Sequence, residues 1–106
     1  MSDGFGLVVR FTLHDERAAA AFDELCASTL EGIKTSEPGT LTYVSHAPEG
    51  EPLVRVFYEL YADRAAFEAH EEQPHTKHFL AERAQYLAGV EVTFLDVIAG
   101  KVAAQQ

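Results

Sequence analysis

Apolar side chains alternate along Phe5, Leu7, Val9, Phe11 and Leu13, so five large residues fall on one face of an extended segment and predict a strand over 5–13. The period then changes. Ala18, Ala21, Phe22, Leu25, Thr29 and Ile33 recur at helical spacing, while Glu16, Arg17, Asp23, Glu24 and Glu31 fall largely elsewhere, and Asp15 is placed to cap the helix. Gly32 and the polar stretch to Ser36 predict its end. Glu37-Pro38-Gly39 is a turn signal, because proline presets its own φ and glycine tolerates the left-handed region. Strands follow over Thr40–His46 and Leu53–Tyr61, joined by the turn-rich loop Ala47–Pro52. Asp63 can cap a short helix carrying Ala66, Phe67 and His70, and Gln73-Pro74 restarts a second helical piece that runs to Leu87, with Gly89 as its stop. A last strand is predicted over Val90–Ile98, followed by a loosely held tail or partner arm over 99–106.

The order β-α-β-β-α-β predicts one α+β domain over 1–106 with its core over 5–98: a ferredoxin-like fold with an antiparallel sheet and helices on one face. The strands add a second expectation. In the third strand Val54, Val56, Tyr58 and Leu60 oppose Leu53, Phe57 and Tyr61, and in the fourth Leu95 and Val97 oppose Val90, Val92, Phe94 and Ile98, so neither face reads as solvent-facing. Helices cover only one face, which leaves the other to a second copy, sheet against sheet in a homodimer.

Charge narrows the partners. A net charge of −9, with 8 scattered Lys and Arg residues, provides no basic footprint for nucleic acid or an anionic membrane. No apolar run approaches the roughly 20 residues a membrane helix needs. Met1-Ser2-Asp3-Gly4 lacks the regions of a signal peptide, and the single cysteine, Cys26, allows no intrachain disulfide; both point to the cytoplasm. Cys26 reads as a small core residue on a helix.

Candidate chemistry concentrates in Phe67–Phe79, which holds three of the five histidines. His70 follows Ala66 and Phe67 by four and three residues, shares their inner face, and is the first choice for a general base. Glu59, on the strand before that helix, is placed to orient the imidazole or hold its protonated form. His75 lies in the first turn after Pro74, where free N–H groups favour a nearby anion. Tyr43, Phe57, Tyr61 and Phe79 would supply aromatic walls for a substrate. Each has a plainer reading: His70 as a buried histidine satisfied by Glu59, His75 as dressing for a helix start, the aromatics as core. His70, Glu71, His75 and His78 lack a defined zinc spacing, so no metal is expected.

The combination Glu37-Pro38-Gly39-Thr40-Leu41 with Tyr43, Glu59 and Tyr61 closing a strand, and Phe67-Glu68-Ala69-His70 followed by Pro74-His75 and Phe79, resembles the antibiotic biosynthesis monooxygenase family, above all its quinol monooxygenase-like branch. The resemblance covers about Phe5 to Ile98. It implies a dimeric α+β barrel and a monooxygenase that oxidises a small electron-rich aromatic or quinol with molecular oxygen, using no metal or flavin. Haem-degrading relatives look as though they use asparagine and tryptophan, and this chain has neither; Val9 stands near the asparagine position and His70 near the tryptophan position. Two alternatives stay open: an isomerase or other proton-transfer enzyme on a small carbonyl compound, and a ligand-binding module without turnover.

Overall fold

The computed structural model describes residues 3–102. Strand β1 (Phe5–Leu13) leads into helix α1 (Glu16–Ser36), then come β2 (Thr40–His46), β3 (Val54–Tyr61), α2 (Arg64–Glu72), α3 (Pro74–Arg83), a short 3₁₀ turn (Ala84–Tyr86) and β4 (Leu87–Asp96). All the pairings are antiparallel, and the sheet order is β2-β3-β1-β4. This is the ferredoxin-like α+β arrangement, with the second helical region broken in two at Gln73-Pro74.

The helix ends are set by local chemistry. Asp15 and Asp63 each accept a hydrogen bond at 2.8 Å from the backbone N–H three residues on, satisfying a donor that has no partner within the helix. Pro74 opens α3 because its missing N–H costs nothing there. One face of β1 pairs Phe5, Leu7, Val9 and Phe11 with Tyr61, Glu59, Phe57 and Arg55 of β3, and that face meets the helices. At its centre Phe11 lies 4.8 Å from Phe57 and 4.9 Å from Phe22 of α1, and Phe79 of α3 closes the cluster 5.7 Å from Phe22. Cys26 packs against this cluster as a small apolar residue, and burial pushes its thiol up to about 12, so it carries no thiolate.

Helix α1 ends at Ser36, within the stretch expected, with Gly32 itself still inside it. One boundary differs from expectation: Gly89 does not stop the last helix; it lies inside β4, opposite Thr12, where the register with β1 shifts before Leu13 meets Leu87. A glycine beside such an irregularity is a strand feature, easily mistaken in sequence for a helix stop. In the C-terminal segment expected over 99–106, residues 103–106 lie outside the described residues. Residues 97–102 line a hollow with Tyr58 and Leu60 on the face away from the helices. Among the described residues no helix is long and apolar enough to cross a membrane.

The helices cover the sheet unevenly. On the helix side of β4, Val90, Val92 and Phe94 are exposed at 44%, 47% and 59%, because α2 and α3 stop short of this edge strand. The gap opens the core to a cleft.

Candidate functional site

The cleft has a volume of about 140 Å³ and lies between α2, α3 and the β1–β4 half of the sheet. Leu7, Val9, Phe11, Phe79, Val92 and Phe94 make it largely apolar, and Tyr43, Glu59, His70, Glu71, Thr76 and Arg83 bring the polar groups. A cavity on the order of 150 Å³ is the size that admits a single benzene ring.

His70 is buried at 4% exposure, on the inner face of α2 as its spacing with Ala66 and Phe67 requires. The Tyr43 and Tyr61 rings hold the imidazole at centroid distances of 5.7 and 5.4 Å. Its Nδ1 lies 2.7 Å from Oε1 of Glu37, and Thr76 Oγ1 lies 3.4 Å away. Beside an ionised Glu37, Nδ1 carries the hydrogen and donates it, leaving Nε2 with a lone pair. Among the described residues Nε2 has no protein partner, and it is not sealed from solvent. An imidazole anchored at one nitrogen and free at the other, in an apolar cleft, has the geometry of a general base.

The carboxylate that orients His70 is therefore Glu37 and not Glu59, which corrects the expectation from sequence. Glu37 projects from the turn between α1 and β2, with its side chain 3% exposed. Oε1 also accepts a 2.7 Å hydrogen bond from Thr40, and Oε2 pairs with Nε2 of His75. Burial alone would push the Glu37 carboxyl up. The Thr40 hydroxyl, the His75 hydrogen bond and the charge and hydrogen bond of His70 outweigh it, so the group sits below the ordinary carboxylate range.

Glu59 does something else. It lies on the cleft at 6% exposure and accepts a 2.6 Å hydrogen bond from the Tyr61 hydroxyl. Burial pushes its carboxyl up to about 7, the Tyr61 bond opposes this, and repulsion from Glu71 and Glu37 adds to it. Burial and the neighbouring Glu59 push the Tyr61 phenol up, so it remains a donor. The sign of the linkage follows. A carboxyl raised from 4.5 to about 7 binds a proton in the native state that the unfolded chain has released, so its contribution to stability falls as pH rises through that interval. Glu59→Gln is expected to remove this slope, gaining up to about 3 kcal/mol on wild type at pH 8 relative to pH 4, as read from urea denaturation at the two pH values.

The remaining candidates divide. Tyr43 and Phe79 line the cleft, whereas Phe57 and Tyr61, at 0% exposure, are core residues behind it. Burial pushes the Tyr43 phenol well above its ordinary value, so it faces the cleft as a neutral hydroxyl. His75 is not on the cleft; it lies behind Glu37 and against Gly32 of α1. A β-carbon at Gly32 would overlap the His75 ring, which accounts for a glycine well inside a helix. An interior Gly→Ala normally stabilises a helix by about 1 kcal/mol. Gly32→Ala is expected to do the opposite, lowering stability by roughly 1–2 kcal/mol as the ring is displaced, measurable by thermal denaturation.

Sequence reasoning missed two groups besides this use of Glu37. Arg83 lines the cleft, forms no ion pair among the described residues, and stands 5.5 Å over the Phe11 ring and 5.8 Å over the Phe79 ring. It brings a cation to an otherwise acidic and apolar site. Thr76 is the other, buried beside His70. Among the described residues no three His, Cys, Asp or Glu side chains converge to hold a metal ion.

Comparison with known proteins adds a family. The sequence model described as antibiotic biosynthesis monooxygenase matches residues 4–82. A structure from Caulobacter crescentus, described as a candidate antibiotic biosynthesis monooxygenase, shares 25% identity over 92% of each chain with a TM-score of 0.85. One from Bacteroides thetaiotaomicron, described likewise, has 20% identity and a TM-score of 0.82, covering 98% of this chain and 96% of its own. A Nitrosomonas europaea structure of the same description also has 20% identity and a TM-score of 0.82, covering 92% of this chain and 93% of its own. Among proteins of curated function none matches the chain.

Proposed function

Since the chain belongs to the antibiotic biosynthesis monooxygenase family, we propose that it is a monooxygenase acting on a small hydroquinone or similarly electron-rich phenol with molecular oxygen. The family and its structural neighbours support a monooxygenase-like role. The observation that carries the finer reading is His70, a lining residue of a one-ring cleft, held at Nδ1 by Glu37 with Nε2 unpartnered among the described residues.

In this reading His70 Nε2 takes the phenolic proton and Arg83 stabilises the resulting anion. The electron-rich ring then reduces oxygen itself, which is why neither metal nor flavin is required of the protein. A carbon–oxygen bond forms, the oxygen–oxygen bond breaks, and the second oxygen atom leaves as water. A hydroquinone and O₂ thus give a hydroxyquinone and one water, with atoms and electrons balanced. Tyr43, Phe79 and the aliphatic lining keep water from the anion. The test follows a hydroquinone panel under air and under nitrogen. Turnover that requires oxygen supports the reading, and turnover that persists under nitrogen replaces it with the second one.

That second reading is an isomerase acting on a small carbonyl compound. Glu59 favours it, because a cleft carboxyl with a pKa of about 7 beside a histidine can return a proton to a different carbon.

The same proposal includes a homodimer. Val8, Val56, Tyr58, Leu60 and Leu95 share the sheet face that no helix covers, and a second copy would close it into an α+β barrel. Sedimentation at micromolar concentration checks this: a dimer is expected, and a monomer would remove it. Cytoplasmic placement, where Cys26 stays reduced, fits the reading.

A further inference from the structure

The cleft accounts for His70 but not for His75. Glu37 uses its two oxygens on two different histidines: Oε1 on His70, whose side chain is 5% exposed and faces the cleft, and Oε2 on His75, whose side chain is 18% exposed and faces away from it. A base that needed only to be oriented would need one of these bonds. His75 Nδ1 lies against Gly32 of α1, has no protein hydrogen-bond partner among the described residues and is not fully sealed from solvent, so each ring of the cluster keeps one nitrogen that Glu37 does not use.

We propose that Glu37 couples the two imidazoles into a pair that holds one positive charge, so that a proton arriving at His70 from the cleft is matched by a proton leaving His75 to solvent. The buried carboxylate carries one negative charge and balances one imidazolium well; a second imidazolium would leave an excess charge in a poorly hydrated place. The transfer needs no bond to the carboxylate. The substrate O–H breaks as N–H forms at His70 Nε2, the Nδ1–H of protonated His75 breaks, and its proton goes to water. Both histidines keep donating to Glu37 throughout. This deepens the proposed reaction and rests on His70 being its base. His75 is then a positioning residue whose released proton offsets the charge gained at His70, keeping the buried cluster at one positive charge, and His70 returns its own proton to the oxygen atom that leaves as water.

Neither ring is a fixed home for the charge. His70 lies in the last turn of α2, where free carbonyls favour a cation, and His75 lies in the first turn of α3, where free N–H groups disfavour one. Solvent contact works the other way and favours the charge on His75. The groups facing His70 are Tyr43 from β2, Tyr61 from β3 and Thr76 from α3, and Glu59, Glu71 and Arg83 line the same cleft. His75 faces Glu37 and the backbone of α1 at Gly32, while Lys34 on that helix pairs with Glu31 at 3.6 Å. Among the described residues only Glu37 hydrogen-bonds to both rings.

The test is a pH titration of the histidine ring signals by NMR, on the full chain without substrate, with exposed His14, His46 and His78 as internal references. In wild type the His70 and His75 curves should each be broadened beyond a one-proton transition. In His75→Gln the midpoint of His70 should rise by about one pH unit, and in His70→Gln that of His75 should rise by the same amount, since coupling is reciprocal. Single-proton curves in wild type, or midpoints that ignore the other substitution, would overturn the pair, and the wild-type curves decide the matter even if a variant fails to fold. The outcome is separable from the reaction: coupled rings with no turnover on any hydroquinone would remove the monooxygenase reading and leave the pair standing.

Discussion

His70→Ala is expected to lower turnover by about 100-fold or more while leaving the fold intact, the usual contribution of a positioned general base. The loss should fall on kcat, because the cleft walls that bind the ring are other residues: Val9, Phe11, Phe79 and Val92. Added imidazole should recover part of the activity, since the substitution leaves space beside Glu37 and Thr76 for a free ring. Circular dichroism and thermal melting of the variant separate loss of chemistry from loss of structure. A folded His70→Ala with full activity would eliminate this residue as the base.

Glu37→Ala should have the largest effect on stability, about 3 kcal/mol at pH 7, because it strands His70, His75 and Thr40 together. The pH dependence has a definite sign. The Glu37 carboxyl lies below its ordinary 4.5 in the native state, so its contribution is fully present above that value and is lost as pH falls through the depressed native one. The difference between wild type and Glu37→Ala should therefore shrink in acid. Glu59 runs the other way, since its raised carboxyl costs stability as pH rises from 4.5 to about 7. Urea denaturation from pH 3 to pH 8 resolves the two carboxylates by the opposite slopes they remove.

The elements that repeat were legible in the sequence. The alternation of Phe5 to Leu13 and the helical spacing of Ala18 to Ile33 each reflect one buried face, and Asp15, Asp63 and Pro74 mark helix starts by local chemistry. His70 was also legible, because its inward direction follows from its own helix. Its partner was not. Glu37 lies 33 residues from His70 and 38 from His75, inside a Pro-Gly turn that already explained itself as a turn. Glu59 looked like the natural partner because it ends the strand before α2, yet its bond goes to Tyr61, two residues away on the same face. Parity assigns a side chain to a face but not to a depth, so Phe57 and Tyr61 could not be told from Tyr43 and Phe79 as cleft wall. Arg83 escaped notice because nothing along the chain shows that a cation will lack a partner.

The most direct test of the central claim is product mass after reaction of the best hydroquinone under isotopically heavy oxygen gas, with oxygen uptake recorded alongside. Wild type should consume one O₂ per product and place one heavy atom in the hydroxyquinone, and His70→Ala should show both signals reduced about 100-fold. An unlabelled product, or turnover unchanged when oxygen is withheld, would contradict the account.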